Sequence, residues 1–242
     1  MLDWNAYPIY EQFRPLFDRT PGESMLVGED VYALQTALTG CGQPCGPADG
    51  WFGPATGKAV WEFQTKYDLI RDGRAGPQTN RQLIVLLIQA PNSKYKLPVM
   101  LLFGQLAHEC SLYPGRFSPA RPAGDYDAGV AQRNTEHTPA KEGFNTPASI
   151  SALAKNTREY YDLFEGIPRD RRRWMLAAGA WNAPAFACLI AYLELRVAYG
   201  GDEAARQAAA AQIPWQKRAK SISATNLAKF EAYMVDATKL MP

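Results

Sequence analysis

The sequence predicts a mainly α-helical protein built from two parts, a small three-helix bundle and a larger helical domain. Apolar residues recur at helical spacing along most of the chain, as in Val31, Leu34 and Leu38, whereas the alternating pattern of strands is scarce. An eight-residue pattern occurs twice, each time directly before a helical segment. The length of 242 residues is long for one domain and sufficient for two.

The repeated pattern reads Asp-Gly-x-x-Gly-Pro-x-Thr and begins at Asp49 and again at Asp72. Asp-Gly favours a turn with positive φ, and the proline is preorganised for the first turn of a helix. Helices are therefore expected before the first copy, between the copies and after the second, and Gly40 is the expected end of the first helix. A repeated turn-and-helix unit indicates a small module with two similar halves.

The residues around these two turns resemble the three-helix peptidoglycan-binding domain of bacterial and phage cell-wall enzymes. The resemblance rests on Leu34-Gln35, on Phe63-Gln64 and on both Asp-Gly turns, and it extends over about residues 26–88. It implies a non-catalytic module that holds the protein on peptidoglycan. Most of these residues are expected to build turns and core, but Trp51 lies in a turn between two glycines and is expected to stack on a sugar.

Composition divides the chain into four segments. Residues 1–24 are rich in aromatic residues and proline, and we expect an N-terminal extension that packs on one of the domains. Residues 25–90 form the predicted peptidoglycan-binding domain, and residues 91–98 form a polar linker with two prolines. Residues 99–242 form a second, mainly helical domain, with a short β-ribbon expected within residues 118–135.

The strongest candidate for a catalytic residue is Glu109, which ends an apolar helical run that begins at Val99. A carboxyl group at such a junction is expected to be partly desolvated, which favours its protonated form and raises its pKa. A protonated carboxylic acid can supply the proton that the leaving oxygen needs when a glycosidic bond is broken. An ordinary helix-end glutamate that reaches water is the alternative at this position.

Three segments in order, around Glu109, Gln132 and Asn182, resemble the lysozyme-like domain of lytic transglycosylases and goose-type lysozymes. The resemblance extends over about residues 97–195 and implies that Glu109 is the catalytic acid. It departs from the family's pattern where Cys110 interrupts the Glu-Ser pair and where a tryptophan and a proline replace a tyrosine and a glycine near Asn182. The residues that it implies for substrate binding are Ser111, Gln132, Trp181, Asn182 and Tyr233, with Tyr160 and Tyr161 as alternatives to Tyr233.

Two reactions are compatible with Glu109, and the choice between them depends on a second carboxylate. An inverting hydrolase needs a base roughly 6.5–9.5 Å from the acid. Asp125 and Asp127 are the candidates for that base, and formation of a turn is the alternative role of each. Without such a base, Glu109 acts first as acid and then as base, and the product ends in 1,6-anhydro-muramic acid. The family resemblance favours this transglycosylase reaction.

Three other classes of protein are alternatives to this hypothesis. A zinc peptidase or amidase needs several histidines beside acidic residues, but the chain has only His108 and His137, so no metal or other cofactor is expected. A cysteine peptidase would pair Cys110 with His137, but such a nucleophile is expected at a helix start and Cys110 falls at a helix end. A catalytically inactive wall-binding protein of a virion is the non-enzymatic alternative.

With a wall-binding module joined to a lysozyme-like domain, the sequence as a whole resembles phage endolysins of Gram-negative hosts. The net charge of +2 gives no reason to expect nucleic acid as a partner, and no segment reaches the roughly 18 apolar residues of a membrane-spanning helix. Residues 1–5 do not resemble a secretory signal. We therefore expect a monomer that accumulates in the host cytoplasm. Its release towards peptidoglycan by a holin is implied by the endolysin resemblance alone.

The cysteines and the basic runs are expected to have structural roles. Free thiols are expected for all four cysteines, with a bridge between Cys41 and Cys45 after export as the alternative. The basic runs at residues 169–173 and 217–220 are expected to be solvated helix ends, with contact to an anionic polymer or membrane as the alternative.

Overall fold

The fold is mainly α-helical, as predicted, with four strands of two residues each in the described part of the chain. It is seen in a computed structural model that describes residues 16–17, 26–98, 100–118, 120, 122–167, 169–184, 187–188, 190–191, 194, 229, 232–235 and 238.

Three helices and a small ribbon follow the repeated turns. The helices are α1 (Glu29–Gly40), α2 (Pro54–Lys66) and α3 (Pro77–Leu87). Strand β1 (Leu26–Val27) pairs antiparallel with β2 (Trp51–Phe52). Because a proline at the first helical position has its φ already set, both repeated turns lead directly into a helix, as the pattern predicts. Residues 26–88 are called the bundle below.

All three helices contribute to the apolar core of the bundle. Its members are Leu16, Leu26, Val31, Leu34, Ala37, Leu38, Cys45, Phe52, Ala59, Val60, Phe63, Ala75 and Leu83. Leu16 comes from the aromatic- and proline-rich extension, and its carbonyl accepts a hydrogen bond of 2.8 Å from the amide of Ala75. Phe52 and Ala75 occupy the same position in the two repeated turns, and each pairs antiparallel with a residue that lies earlier in the chain. Phe52 pairs with Leu26, and Ala75 pairs with Leu16.

The rest of the described chain includes a second ribbon and five helices whose bounds are fully described. The helices are α4 (Gln89–Tyr95), α5 (Leu101–Cys110), α6 (Ala140–Gly143), α7 (Thr146–Leu163) and α8 (Asp170–Asn182). The segment that we expect to be a linker is therefore helical as far as Tyr95. Strands β3 (Asp127–Ala128) and β4 (Arg133–Asn134) form an antiparallel ribbon within the predicted range. No helix among the described residues has the length and apolar character that crossing a membrane requires.

The chain divides into two compact units that do not follow sequence order. The first unit contains Met1–Pro91 and Glu109–Ala152, and the second contains Asn92–His108 and Leu153–Pro242. The segment 109–152, called the docked segment below, thus belongs with the bundle although the linker region separates the two in sequence. Glu109, Ser111, Asp125, Asp127 and Gln132 all lie in it.

Helix α1 connects the bundle to the docked segment because it is buried on all sides from Glu29 to Leu38, except at Thr36. One side packs into the bundle core, and the other side carries Tyr32 and Ala33 into a second apolar cluster. The members contributed by the docked segment are Phe117, Ala128 and Phe144, with Tyr126 and Ala140 packed against them. The hydroxyl of Thr146 also donates to the carbonyl of Ala33 at 2.9 Å.

The second unit has an apolar core of its own. Its members are Phe164, Ile167, Leu176, Ala180, Ala187, Cys188, Ile190, Ala191 and Met234. Gln105 is fully buried on α5, and its amide nitrogen donates to the hydroxyl of Thr157 at 3.2 Å and to the carbonyl of Ala178 at 3.4 Å. These bonds satisfy a buried amide and tie together three helices of this unit.

Candidate functional site

A buried glutamine organises the first repeated turn. The Nε2 of Gln35 donates to the Oδ1 of Asp49 at 2.9 Å, to the carbonyl of Trp51 at 3.0 Å and to the Oγ1 of Thr56 at 3.2 Å. Its Oε1 accepts the amides of Asp49 and Gly50 at 3.0 and 2.9 Å. One side chain thus closes the turn that precedes α2.

The second turn repeats this network. The Nε2 of Gln64 donates to the Oδ1 of Asp72 at 2.9 Å, to the carbonyl of Arg74 at 2.9 Å and to the Oγ1 of Thr79 at 3.1 Å. Its Oε1 accepts the amide of Gly73 at 2.9 Å. The polar residues that recur in both turns therefore build structure, which is the role that we expect for most of them.

Two tryptophans on the bundle remain open to solvent. Side chains alternate along β2, so Phe52 is fully buried and Trp51 is 46% exposed, as its place in the turn suggests. Trp61, on α2, is 49% exposed and is missed by the sequence analysis. Its signal is helical spacing, because Ala59 and Phe63 lie on the buried face of α2 and Trp61 does not.

Glu109 is the penultimate residue of α5 and is partly buried, as expected. The next residue, Cys110, is fully buried, and Ser111 is exposed. Ser111 and Leu112 both have left-handed backbone, with φ of 53° and 61°. Because this conformation costs a non-glycine residue about 1–2 kcal/mol, the turn after Glu109 needs support from its surroundings.

That support comes from the N-terminus of α1. The hydroxyl of Tyr113 donates to the Oδ2 of Asp30 at 3.3 Å, and the amide of Tyr113 donates to the carbonyl of Cys110 at 3.0 Å. Gly115 lies directly against α1, because a Cβ built on it would be 2.5 Å from the Cβ of Asp30. The bundle therefore fixes the chain a few residues after Glu109.

Gln132 lies in the turn between β3 and β4, with left-handed backbone at a φ of 48°. Its Nε2 donates to the carbonyl of Gly129 at 2.8 Å and to the carbonyl of Arg116 at 3.1 Å. The amide nitrogen is thus engaged in closing the loop. The side-chain oxygen, Oε1, is the end through which Gln132 can still bind a ligand.

The two aspartates that could serve as a hydrolytic base both make hydrogen bonds in or beside the β3–β4 ribbon. The Oδ2 of Asp125 accepts from the Nδ2 of Asn134 at 3.1 Å. The amide of Asp127 donates to the hydroxyl of Ser118 at 2.8 Å, and that hydroxyl lies 3.4 Å from the Oδ2 of Asp127. These contacts favour the turn-forming role for both residues.

The remaining predicted substrate-binding residues belong to the second unit. Asn182 is exposed at the end of α8, and Trp181 is partly buried. Tyr233 is buried, and its ring meets His108 edge-on at 4.6 Å. Tyr161, an alternative to Tyr233, stacks on Trp174 with ring centroids 3.7 Å apart.

The thiol of Cys110 is a poor nucleophile. Burial raises its pKa to about 12, so the thiol is protonated at neutral pH. This argues against the cysteine peptidase. None of the four cysteines forms a disulfide, so Cys41 and Cys45 carry separate thiols. In the described part of the chain, no three His, Cys, Asp or Glu side chains are grouped as metal ligands would be.

Two arginines of the first basic run contact an acid and an aromatic ring of their own unit. Arg172 contacts Glu194 at 2.6 Å. Arg173 donates to the carbonyl of Tyr161 at 2.6 Å and lies over its ring at 3.7 Å. These contacts favour the interpretation as a helix end. The second run, at 217–220, lies outside the described residues.

Comparisons with known proteins agree with the architecture of the bundle. Residues 27–83 match the model of a family described as "Putative peptidoglycan binding domain". Over 61 residues the chain is 43% identical to the N-acetylmuramoyl-L-alanine amidase CwlM of Mycobacterium tuberculosis (strain ATCC 25618 / H37Rv). The match covers 25% of this chain and spans about 15% of that relative's length. The bundle is therefore similar to a known class of wall-binding modules, and peptidoglycan is the binding partner that the comparisons support.

Proposed function

We propose that the protein is a peptidoglycan-degrading enzyme that cleaves the β-1,4 bond between N-acetylmuramic acid and N-acetylglucosamine, with Glu109 as the catalytic acid. The observation that carries the proposal is the position of Glu109. It is partly buried at the end of α5, in the same compact unit as a bundle that matches a peptidoglycan-binding family. Partial burial suits a carboxylic acid that must donate a proton.

The reaction that we favour is lytic transglycosylation. Glu109 donates its proton to the departing oxygen of N-acetylglucosamine as the glycosidic bond breaks. The resulting carboxylate then takes the proton of the muramic acid 6-hydroxyl, whose oxygen bonds to C1 and closes the 1,6-anhydro ring. The side-chain contacts of Asp125 and Asp127 support this order, because the carboxylate of Asp125 accepts from Asn134 and that of Asp127 accepts from the Ser118 hydroxyl. Hydrolysis with one of them as base is the alternative.

Further residues are proposed to contact the substrate. Gln132 would present Oε1 as an acceptor for a sugar hydroxyl or acetamido N–H, since its Nε2 already binds two carbonyls. Ser111 and Asn182 are exposed polar side chains that could bind sugar hydroxyls. Trp181 and Tyr233 would supply ring surfaces. On the bundle, Trp51 and Trp61 would stack on sugars of the glycan strand and hold the protein on the wall.

The biological setting that fits this chemistry is a phage endolysin of a Gram-negative host. Such a protein would act as a monomer, accumulate in the host cytoplasm and reach peptidoglycan in the periplasm after a holin permeabilises the membrane. This setting rests on the resemblance of the two-part sequence to endolysins.

The products released from purified sacculi test the proposal. Mass spectrometry should detect fragments that end in 1,6-anhydro-muramic acid, one water lighter than hydrolysed fragments. Reducing muramic acid ends would indicate a hydrolase instead. Free stem peptides with intact glycan would indicate an amidase, which is the activity in the name of the relative from M. tuberculosis.

The control for this experiment is Glu109→Gln, which keeps the shape of the side chain and removes the acid. We expect this variant to bind sacculi normally and to release no fragments. Full cleavage by Glu109→Gln would contradict the mechanism, whereas sacculus binding without cleavage by the unmodified protein would identify an inactive wall-binding protein.

A further inference from the structure

The end of α5 is held by the bundle. Two consecutive non-glycine residues with left-handed backbone, Ser111 and Leu112, follow Glu109 and Cys110. In the described chain this is the one place where two such residues are adjacent. Strained backbone persists only where surrounding contacts over-determine it. The contacts within the same compact unit therefore decide where the end of α5 lies.

Asp30 provides the contacts that meet this turn. It is 4% exposed in the first turn of α1, and its Oδ1 accepts the amide of Val31 at 2.9 Å, which orients the carboxylate. Its Oδ2 accepts the hydroxyl of Tyr113 at 3.3 Å. Gly115 packs on the same residue, since a Cβ there would lie 2.6 Å from the Cα of Asp30. Asp30 thus touches the chain at two positions shortly after Glu109.

We propose that Asp30, a residue of the peptidoglycan-binding bundle, is a positioning residue for Glu109. It holds Tyr113, and through the left-handed turn it fixes the last residues of α5 and the carboxyl group that they carry. The bundle then has a second role besides wall binding, because it sets the position of the catalytic acid. This inference rests on the proposed function of Glu109.

The experiment uses the full chain and soluble glycan fragments of peptidoglycan, which do not require wall anchoring. Tyr113→Phe removes one hydroxyl, and Asp30→Ala removes its acceptor. Each is expected to lower kcat on the order of tenfold to a hundredfold, because small misplacement of a catalytic group has effects of this size. Binding of both variants to sacculi should stay within twofold of the unmodified protein. Asp30→Asn keeps one oxygen as acceptor for the amide of Val31 and places an amide nitrogen that can donate to the Tyr113 hydroxyl, so it should retain most of kcat.

Thr146→Val is the matched control. Thr146 also docks the segment on α1, through a hydrogen bond of 2.9 Å to Ala33, but it lies far from Glu109 along the chain. Loss of this hydrogen bond in Thr146→Val should lower the melting temperature and leave kcat unchanged. The pH profile of kcat separates positioning from stability. A misplaced acid shifts the limb that reports protonation of Glu109, whereas a smaller folded fraction lowers the profile without shifting it.

The outcomes distinguish this inference from the proposed function. A normal kcat in Tyr113→Phe and Asp30→Ala would overturn the positioning role. The role would also be overturned if Thr146→Val lost as much kcat as these two variants and none of the three shifted the pH profile of kcat. If Tyr113→Phe does not fold, Asp30→Asn decides, because a loss of kcat as large as in Asp30→Ala would overturn the role of the hydrogen bond. Full cleavage by Glu109→Gln would remove the proposed function itself, whatever Tyr113→Phe does.

Discussion

Replacing Gly129 with alanine should destabilise the docked segment more than the same change at Gly124. Both glycines belong to the region around the β3–β4 ribbon, and both have left-handed backbone, with φ of 73° and 87°. Their surroundings differ. A Cβ on Gly129 would lie 1.9 Å from the carbonyl oxygen of Gly143, at the end of α6, whereas a Cβ on Gly124 would have nothing within 4 Å.

The expected magnitudes follow from these two geometries. Left-handed backbone costs an alanine about 1–2 kcal/mol, and this is the whole expected loss at Gly124. At Gly129 the new methyl group meets backbone atoms, which cannot rotate away as a side chain can. Overpacking of this kind adds about 1–3 kcal/mol. The free energy of unfolding should therefore fall by about 1–2 kcal/mol in Gly124→Ala and by about 2–5 kcal/mol in Gly129→Ala.

Urea unfolding of the full-length variants, followed by circular dichroism and tryptophan fluorescence, measures both losses. Hydrogen exchange of amides in the ribbon and in α6 shows where the loss occurs, because only Gly129→Ala should increase exchange in both elements. An equal loss of stability in the two variants would refute the close approach of Gly129 to Gly143.

Trp51→Ala and Trp61→Ala should each weaken binding to purified sacculi, measured by co-sedimentation, by about fivefold or more, since tryptophan is enriched among the contact residues whose truncation costs over about 1 kcal/mol. Ile70→Ala, at a side chain that is 69% exposed, is the control and should bind normally. Equal weakening in all three would mean that exposed apolar surface binds without stacking. Cys110 should react slowly with a thiol reagent at pH 8 in the folded protein and quickly in urea, because burial raises its pKa to about 12. The contribution of this raised pKa to stability is complete below about pH 8.5, the value of an unfolded thiol, and is lost as the pH rises towards 12. Rapid labelling under native conditions would contradict its burial.

Features with a local cause could be predicted from the sequence. The helices after Gly53 and Gly76 begin with proline, and the Asp-Gly pairs form the turns before them, so neighbouring residues determine these elements. The exposure of Trp51 beside a buried Phe52 likewise follows from its place in a short turn. In each case, the information lies within a few residues of the feature.

Features with a distant cause could not be predicted. Asp30 and Tyr113 are 83 positions apart, and no sequence pattern around either residue predicts that the two are in contact. Tyr32 and Ala33 look like the ordinary flank of an amphipathic helix, yet they form a second apolar cluster with the docked segment. The grouping of Glu109 with the bundle depends on these long-range contacts, and helical periodicity carries no information about them.

The burial of α1 on both sides has a consequence for protein engineering. A wall-binding module could be transferred to another protein by cutting this chain at the end of the bundle. A cassette that ended near residue 91 would expose Tyr32 and Ala33 and would leave Phe117 and Phe144 uncovered on the remaining piece. Both products would expose apolar surfaces that are buried in the intact chain, and such surfaces favour aggregation. The transferable piece is therefore the bundle with its docked segment, and hybrid proteins made from this chain should keep the two together.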